Sequence, residues 1–190
     1  MALLKQWSSE GLLPRVVFER LTQFLDLLEE WNQGINLTGL RSREEMEELL
    51  VGESILATRA FPMSGKNVLD FGSGAGIPGL IWAIYDPTIH LTSVEIREKK
   101  VAFQKEVVRA IGLDAEVLKG SFPKVVKDRQ FDVIATRAIR FSSKLWAQAI
   151  PLLAPGGSFV HFANPNVEQK GWRSIPVSDR TSLLIHTLSP

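Results

Sequence analysis

The 190-residue chain has no cysteine. That excludes disulfides, thiolate metal sites and cysteine nucleophiles, but no cellular compartment. Histidine is scarce: His90, His161 and His186 lie far apart, without H-x-x-x-H spacing, so no metal centre is suggested. There is no excess of one charge, since 22 basic and 21 acidic residues leave a net charge of +1. Bulk charge therefore does not announce a nucleic-acid binder, and any basic face has to be local. No apolar run approaches the roughly 20 residues of a membrane span. The opening MALLKQWSSEGLLP is a short amphipathic stretch without a signal-peptide cleavage site. The expectation is a soluble cytoplasmic protein that does not engage a membrane. Internal repeats and low-complexity segments are missing as well.

What is present is an ordinary globular composition, 45% apolar and 23% charged, long enough for one domain with a full core. Val17, Phe18, Leu21, Phe24, Leu25, Leu28 and Trp31 form a helical stripe, predicting a helix from Pro14 to Asn32. NQGINLTGLRS breaks it. Ser42 and Glu45 then make a capping-box signature for a second helix to about Arg59, with EEMEELL as its solvated face.

After the turn FPMSGKN, short strand-like and helical segments alternate. NVLDF precedes PGLIWAIYD, and IHLTSVE precedes REKKVAFQKEVVRAIG, which ends at Gly112. AEVLKG and FDVIATRA are strand-like, SSKLWAQAIPLLAPGG reads as helix then turn, and GSFVHFA and TSLLIHTL are the last strands. Such alternation predicts an α/β fold with a doubly wound, mostly parallel sheet. The expected organisation is one domain over 1–190, with a helical N-terminal extension (1–62) and an α/β core (63–190). The five tryptophans read as packing residues.

The most informative stretch is VLDFGSGAGIPG, residues 68–79. A parallel sheet binds ligands at the carboxyl ends of its strands, and this loop lies at such an end. Four glycines in eight positions are more than a tight strand–helix turn needs. Gly74, Gly76 and Gly79 fit the dinucleotide string G-x-G-x-x-G. Counted from the strand end near Phe71, however, the first glycine is Gly72, and the third required glycine falls on Ile77. The better register is Asp70-x-Gly72-x-Gly74-x-Gly76, the pattern of S-adenosylmethionine-dependent methyltransferases. Glu95 ends the second strand, where a carboxylate can accept both ribose hydroxyls; both ligand classes use such an acid.

Methyl transfer from a sulfonium is an in-line displacement that depends on positioning. Carbon-5 pyrimidine methylation is excluded by the missing cysteine. Exocyclic amine methylation usually has Asn or Asp before Pro-Pro-aromatic after the fourth strand, whereas this strand ends in Thr136-Arg137-Ala138. Asn164-Pro165 follows the fifth strand instead and lacks the second proline and the aromatic. A ring nitrogen with a free lone pair, such as guanine N7, needs no base, and these residues permit it. Methylation of a small molecule or protein stays open on the same fold, as does donor binding without turnover. Methyl incorporation into small-subunit RNA discriminates among the three.

WNQGINLTGLR, VLDFGSGAGIPGL, EKKVAFQKEV and TRA before LLAPGG together resemble the bacterial small-subunit ribosomal RNA guanine-N7 methyltransferases, the glucose-inhibited division protein B family. The similarity spans about Trp31 to Gly157, with a weaker echo in IPVSDRTSLLIH. It implies a Rossmann-like class I methyltransferase fold, S-adenosylmethionine as donor, and 16S ribosomal RNA within the small subunit as partner of a monomeric enzyme. Donor contacts are implied at Gly72, Ile77, Phe122, Pro123 and Arg137, with Glu95 on the ribose. Asp70, Ser73 and Gly74 of the loop, Ile96 beside the acid and Ser121 after the third strand are placed with them. Arg137 and Asn36 are the expected catalytic residues, and Thr38, Arg41 and Arg180 the expected RNA contacts. Arg43, Arg140 and Lys144 are further candidate cations at the mouth. Two departures stand out. Leu49-Leu50 replaces the family's Arg-His ahead of Glu53-Ser54, where the family has Asp-Ser, and Phe162-Ala163-Asn164 lacks its lysine.

Overall fold

A computed structural model describes residues 3–165 and 167–189; Met1, Ala2, Asn166 and Pro190 lie outside the described residues. Seven strands form one sheet in the order β3-β2-β1-β4-β5-β7-β6. They are β1 (Asn67–Phe71), β2 (His90–Glu95), β3 (Ala115–Lys119), β4 (Phe131–Thr136), β5 (Leu153–Ala163), β6 (Arg173–Pro176) and β7 (Ser182–Thr187). The first five pair in parallel, and β7 joins β5 and β6 antiparallel. Strand order reverses between β1 and β4, with β2 and β5 on opposite sides. This is the switch point at which such sheets bind ligands. The expected α/β, doubly wound architecture is present.

The helices are α1 (Leu3–Ser9), α2 (Arg15–Gly34), α3 (Arg43–Glu45), α4 (Glu53–Ala60), α5 (Gly79–Tyr85), α6 (Glu98–Ile111) and α7 (Ser143–Ala149). The stripe on α2 buries Leu21, Phe24, Leu25 and Leu28 in the same core as Trp82 of α5 and Phe103 of α6. Phe24 and Trp31 meet the Phe103 ring edge-on at 6.1 and 5.7 Å. Burying each such side chain contributes about 1.5–3 kcal/mol. α6 ends where the sequence indicates, at Gly112 with φ 70°.

Three local readings change. The second helix starts as expected, with the Ser42 hydroxyl accepting from Glu45 N, but Met46–Gly52 widens into a π-helix before α4. EEMEELL is not wholly solvated: Glu47 is buried, and its Oε1 accepts from Leu4 N at 2.6 Å, capping the free amide end of α1. The turn expected at LLAPGG is absorbed into β5 as a bulge, the register against β4 jumping from Leu153↔Phe131 to Ser158↔Val133. β6 was not foreseen as a strand. It is four residues long and lies at the edge beyond β7. Trp146 and Trp172 pack with Phe159 and His186 on this side, as packing residues should.

Candidate active site

A cavity of about 440 Å³ opens at the carboxyl ends of β1, β2 and β4, lined by Gly72–Ala75, Glu95, Lys100, Arg137 and Ile139. A second lobe of about 250 Å³ shares Gly72, Glu95, Ile96 and Ile139 and adds Ser121 and Phe122. A hollow of about 430 Å³ lies at the opposite strand ends, beside Asn67, His90 and Asp114. Parallel sheets do not build ligand sites at that end.

The glycine loop is held tightly. Gly72 has φ 63°, and a Cβ there would lie 2.2 Å from Ile139 Cδ1. Gly74 has φ 59°, and its missing side chain would meet only Lys100 Nζ at 3.7 Å, so it faces open space in the cavity. Both need the left-handed backbone that side chains disfavour. Gly72 N donates to Val94 O at 2.8 Å. Beneath the loop, Ser73 Oγ is buried 2.7 Å from Ser93 Oγ and accepts from Gln104 Nε2, which also donates to Gly74 O. Ser73 therefore offers the cavity its backbone, not its hydroxyl.

Glu95 is buried, and its carboxylate is already engaged. Oε2 accepts from Gly74 N at 2.8 Å, while Oε1 accepts from Ile96 N and Arg97 N at 2.9 and 2.8 Å. A carboxylate has about four acceptor positions, so a single lone pair, on Oε2, is left for a ligand. The bidentate ribose grip expected from sequence is thus reduced, because Glu95 also ties the loop to β2.

Asp70 does not line either lobe. It is fully buried, with Oδ2 accepting from Gly79 N at the start of α5 and Oδ1 without a partner among the described residues. Burial pushes its carboxyl up to about 7. The structure makes it the anchor between β1 and α5, not a group presented to the cavity.

Arg137 does reach the cavity. Its Nη2 donates to Leu49 O at 2.7 Å and pairs with Glu53 Oε2, and its guanidinium lies 5.2 Å above the Phe162 ring. Asp132, at the other end of β4, accepts from Asn67 N and plays no part in holding Arg137. Nη1 is buried and has no partner among the described residues. Burial draws the Arg137 pKa down, and Glu53 and Asp70 oppose the shift. The next residue, Ala138, has φ 59° and also lines the cavity. Strain at a non-glycine residue of this kind gathers at functional sites.

The remaining candidates divide. Ile77 lines the main lobe, and Ile96, Ser121 and Phe122 the second. Pro123 lines neither and starts the short turn Lys124–Val126. Thr38 lines the main lobe, its Oγ1 accepting from Leu40 N. Asn36 is exposed in a neighbouring groove with Arg97, Lys99 and Lys100, apart from Arg137. The structure does not bring the two expected catalytic residues together. Asn32 shapes that loop instead, accepting from Leu37 N and Thr38 N and donating to Leu40 O. Arg41 and Arg180 are exposed, as are Arg140 and Lys144, whereas Arg43 is taken up by Asp26 and Glu29 and leaves the list of mouth cations.

Sequence reasoning missed Lys100, Gln104, Ser93 and Glu53. Lys100 Nζ donates to Leu37 O at 2.9 Å, strapping the N-terminal loop to the cavity. Its place one turn beyond Glu95 is a weak signal that could have found it; Glu53 carried only the family's Asp-Ser spacing. No group of three or more His, Asp or Glu suited to a metal occurs among the described residues, and no helix is long and apolar enough to cross a membrane.

Residues 17–171 match the GidB family, described as rRNA small subunit methyltransferase G. Ribosomal RNA small subunit methyltransferase G of Chromohalobacter salexigens is 37% identical over 142 residues, 75% of this chain and 67% of that protein. The Wolinella succinogenes protein of the same name is 33% identical over 172 residues, 88% of each chain. Among solved structures, a methyltransferase from Pyrococcus furiosus superposes with TM-score 0.60 at 19% identity, over 72% of this chain and 81% of that one. A Thermus thermophilus 16S rRNA N2 G1207 methyltransferase in complex with AdoMet and guanosine gives 0.58 at 21%, over 73% and 42%. At these identities the two structures speak for the fold.

Proposed function

The chain belongs to the GidB family, rRNA small subunit methyltransferase G, and from that premise we propose that it methylates guanine N7 in 16S ribosomal RNA, using S-adenosylmethionine. The same proposal has it act in the cytoplasm, as a single-domain monomer, on the small subunit rather than on naked RNA. The observation that carries the reading is the glycine loop locked by Glu95 beside a buried, unpartnered Arg137 Nη1.

The residues present fit the donor. Gly74 leaves open space where a side chain would stand, Glu95 Oε2 retains a lone pair for a hydroxyl, and Ile96, Phe122 and Ile139 give the second lobe apolar walls for a flat base. When bound, S-adenosylmethionine supplies an electrophilic methyl group. The protein's part is to hold donor and acceptor in line, the kind of effect that lowers a barrier by about 7–11 kcal/mol at best. Guanine N7 attacks through its own lone pair, so no side chain has to remove a proton. The titratable groups lining the main lobe suit this: Glu95 is engaged by amides, and Arg97, Lys100 and Arg137 are cations. Arg137, which lines the main lobe, donates to a ligand oxygen and fixes its orientation.

Labelled donor should place N7-methylguanine in the small-subunit RNA of particles from a strain lacking the gene, at one position mapped by base-specific cleavage. Methylation at an exocyclic amine would overturn the N7 assignment. Donor binding with no transfer to RNA or particle would leave a regulatory donor-binding protein.

A further inference from the structure

Glu53 lies at the start of α4, where the helix returns from π to α pitch, its own N–H bonding back to Glu48 O. Widened turns of this kind often occur at functional sites. Its side chain is 5% exposed, and that of Arg137 is 18% exposed. One carboxylate oxygen pairs with Arg137; the other accepts from Ser178 Oγ at 2.7 Å and Thr181 Oγ1 at 2.9 Å. Ser178 and Thr181 bracket Arg180 in the turn between β6 and β7. A buried carboxylate is costly unless paired and hydrogen-bonded, and both oxygens of this one are engaged.

We propose, resting on the reading above, that Glu53 is the positioning residue that sets Arg137 in the cavity and the Arg180 turn at its mouth as one unit. Three segments far apart in sequence meet on one carboxylate. Each hydroxyl bond to Oε1 holds the turn at a fixed distance from the carboxylate that holds Arg137. Glu53 and Leu49 O occupy Nη2, while Nη1, also buried, is left without a partner among the described residues. Neutralising Glu53 frees the guanidinium to turn and releases the turn together with it.

Glu53→Gln should lower kcat on small-subunit particles at least tenfold while S-adenosylhomocysteine affinity changes less than threefold. Glu53→Asp, which keeps the charge, should recover most of the loss. A Glu53→Gln variant that is less heat-stable but has wild-type kcat and KM would reduce Glu53 to packing and overturn the proposal. Should Glu53→Gln not fold, Ser178→Ala/Thr181→Val leaves the Arg137 pair intact. It should raise KM for the particle about fivefold at unchanged donor affinity, and an unchanged KM refutes the coupling. Hydrogen exchange gives a readout without turnover: the Val177 and Ser178 amides, which bond Thr181 O, should lose protection in Glu53→Gln. If the wild type methylates no RNA, the proposed function falls. The exchange result then still decides whether Glu53 holds the turn.

Discussion

The floor of the cavity and its mouth are built in opposite ways. The floor, from β1 through the first turns of α6, is over-determined: Glu95 takes three backbone amides, Gln104 braces the loop from below and Asp70 pins α5. Arg41, Arg140, Lys144 and Arg180, the cations that the resemblance places at the mouth, are exposed, with no ion pair to any of them among the described residues. Cations elsewhere, such as Arg15, Arg43, Arg109, Lys119 and Arg129, are paired with carboxylates. A small ligand needs a rigid cradle formed before it arrives, whereas a polyanion needs charge that adapts to it. The comparison teaches that the donor end is fixed by buried hydrogen bonds before a ligand arrives, while the expected RNA-binding cations are left exposed and unpaired.

The sharpest way to break the floor is Gly72→Val. A left-handed side chain costs about 1–2 kcal/mol, and its Cβ displaces Ile139, which lines both lobes. The loop should leave its present shape, and S-adenosylhomocysteine affinity should fall at least about hundredfold by calorimetry. Gly74→Ala meets open space and should show only the backbone strain, about tenfold. Equal losses at both positions would erase the distinction between a packed and an open glycine.

Glu95→Ala removes a charged acceptor from three amides, each bond of that kind contributing roughly 1.5–3 kcal/mol. Donor affinity should drop about hundredfold, and the Gly74 and Ile96 amides should exchange faster even without ligand. Slow exchange with weakened binding would return Glu95 to a purely ligand-facing role.

Asp70 sharpens the comparison through pH. Its pKa is raised from 3.8 to about 7 by burial, so the native state keeps a proton that the unfolded chain releases. The stability it contributes is full below pH 3.8 and is lost as pH rises through about 7. Asp70→Asn escapes this loss. Relative to wild type it should gain up to about 4 kcal/mol between pH 4 and pH 8 in urea unfolding. A pH-independent difference would show that the carboxyl ionises freely in the fold.

The smallest effects belong to the mouth. Arg41→Ala and Arg180→Ala should each raise KM for the particle a few-fold, leave donor affinity unchanged and reduce the salt slope by about 1. Asn36→Ala, in the separate groove, should leave kcat within about threefold. A hundredfold loss there would restore Asn36 as a catalytic residue.

Much of the floor was legible in the sequence because it is local. The glycine register, the acid ending β2 and the strand–helix alternation repeat at short spacing, where backbone geometry and periodicity dictate the outcome. The capping of α3 by Ser42 and the αL end of α6 belong to the same class. What only the tertiary structure decided are meetings between distant segments. Nothing in a run of glutamates distinguishes Glu47, turned inward onto Leu4 N, from its exposed neighbour Glu48. Nothing near Glu53 announces Arg137, Ser178 and Thr181. A buried charge has no periodic signature: its partners are whichever polar groups the packed elements bring within hydrogen-bond reach, and desolvation makes that pairing obligatory only once the core has closed.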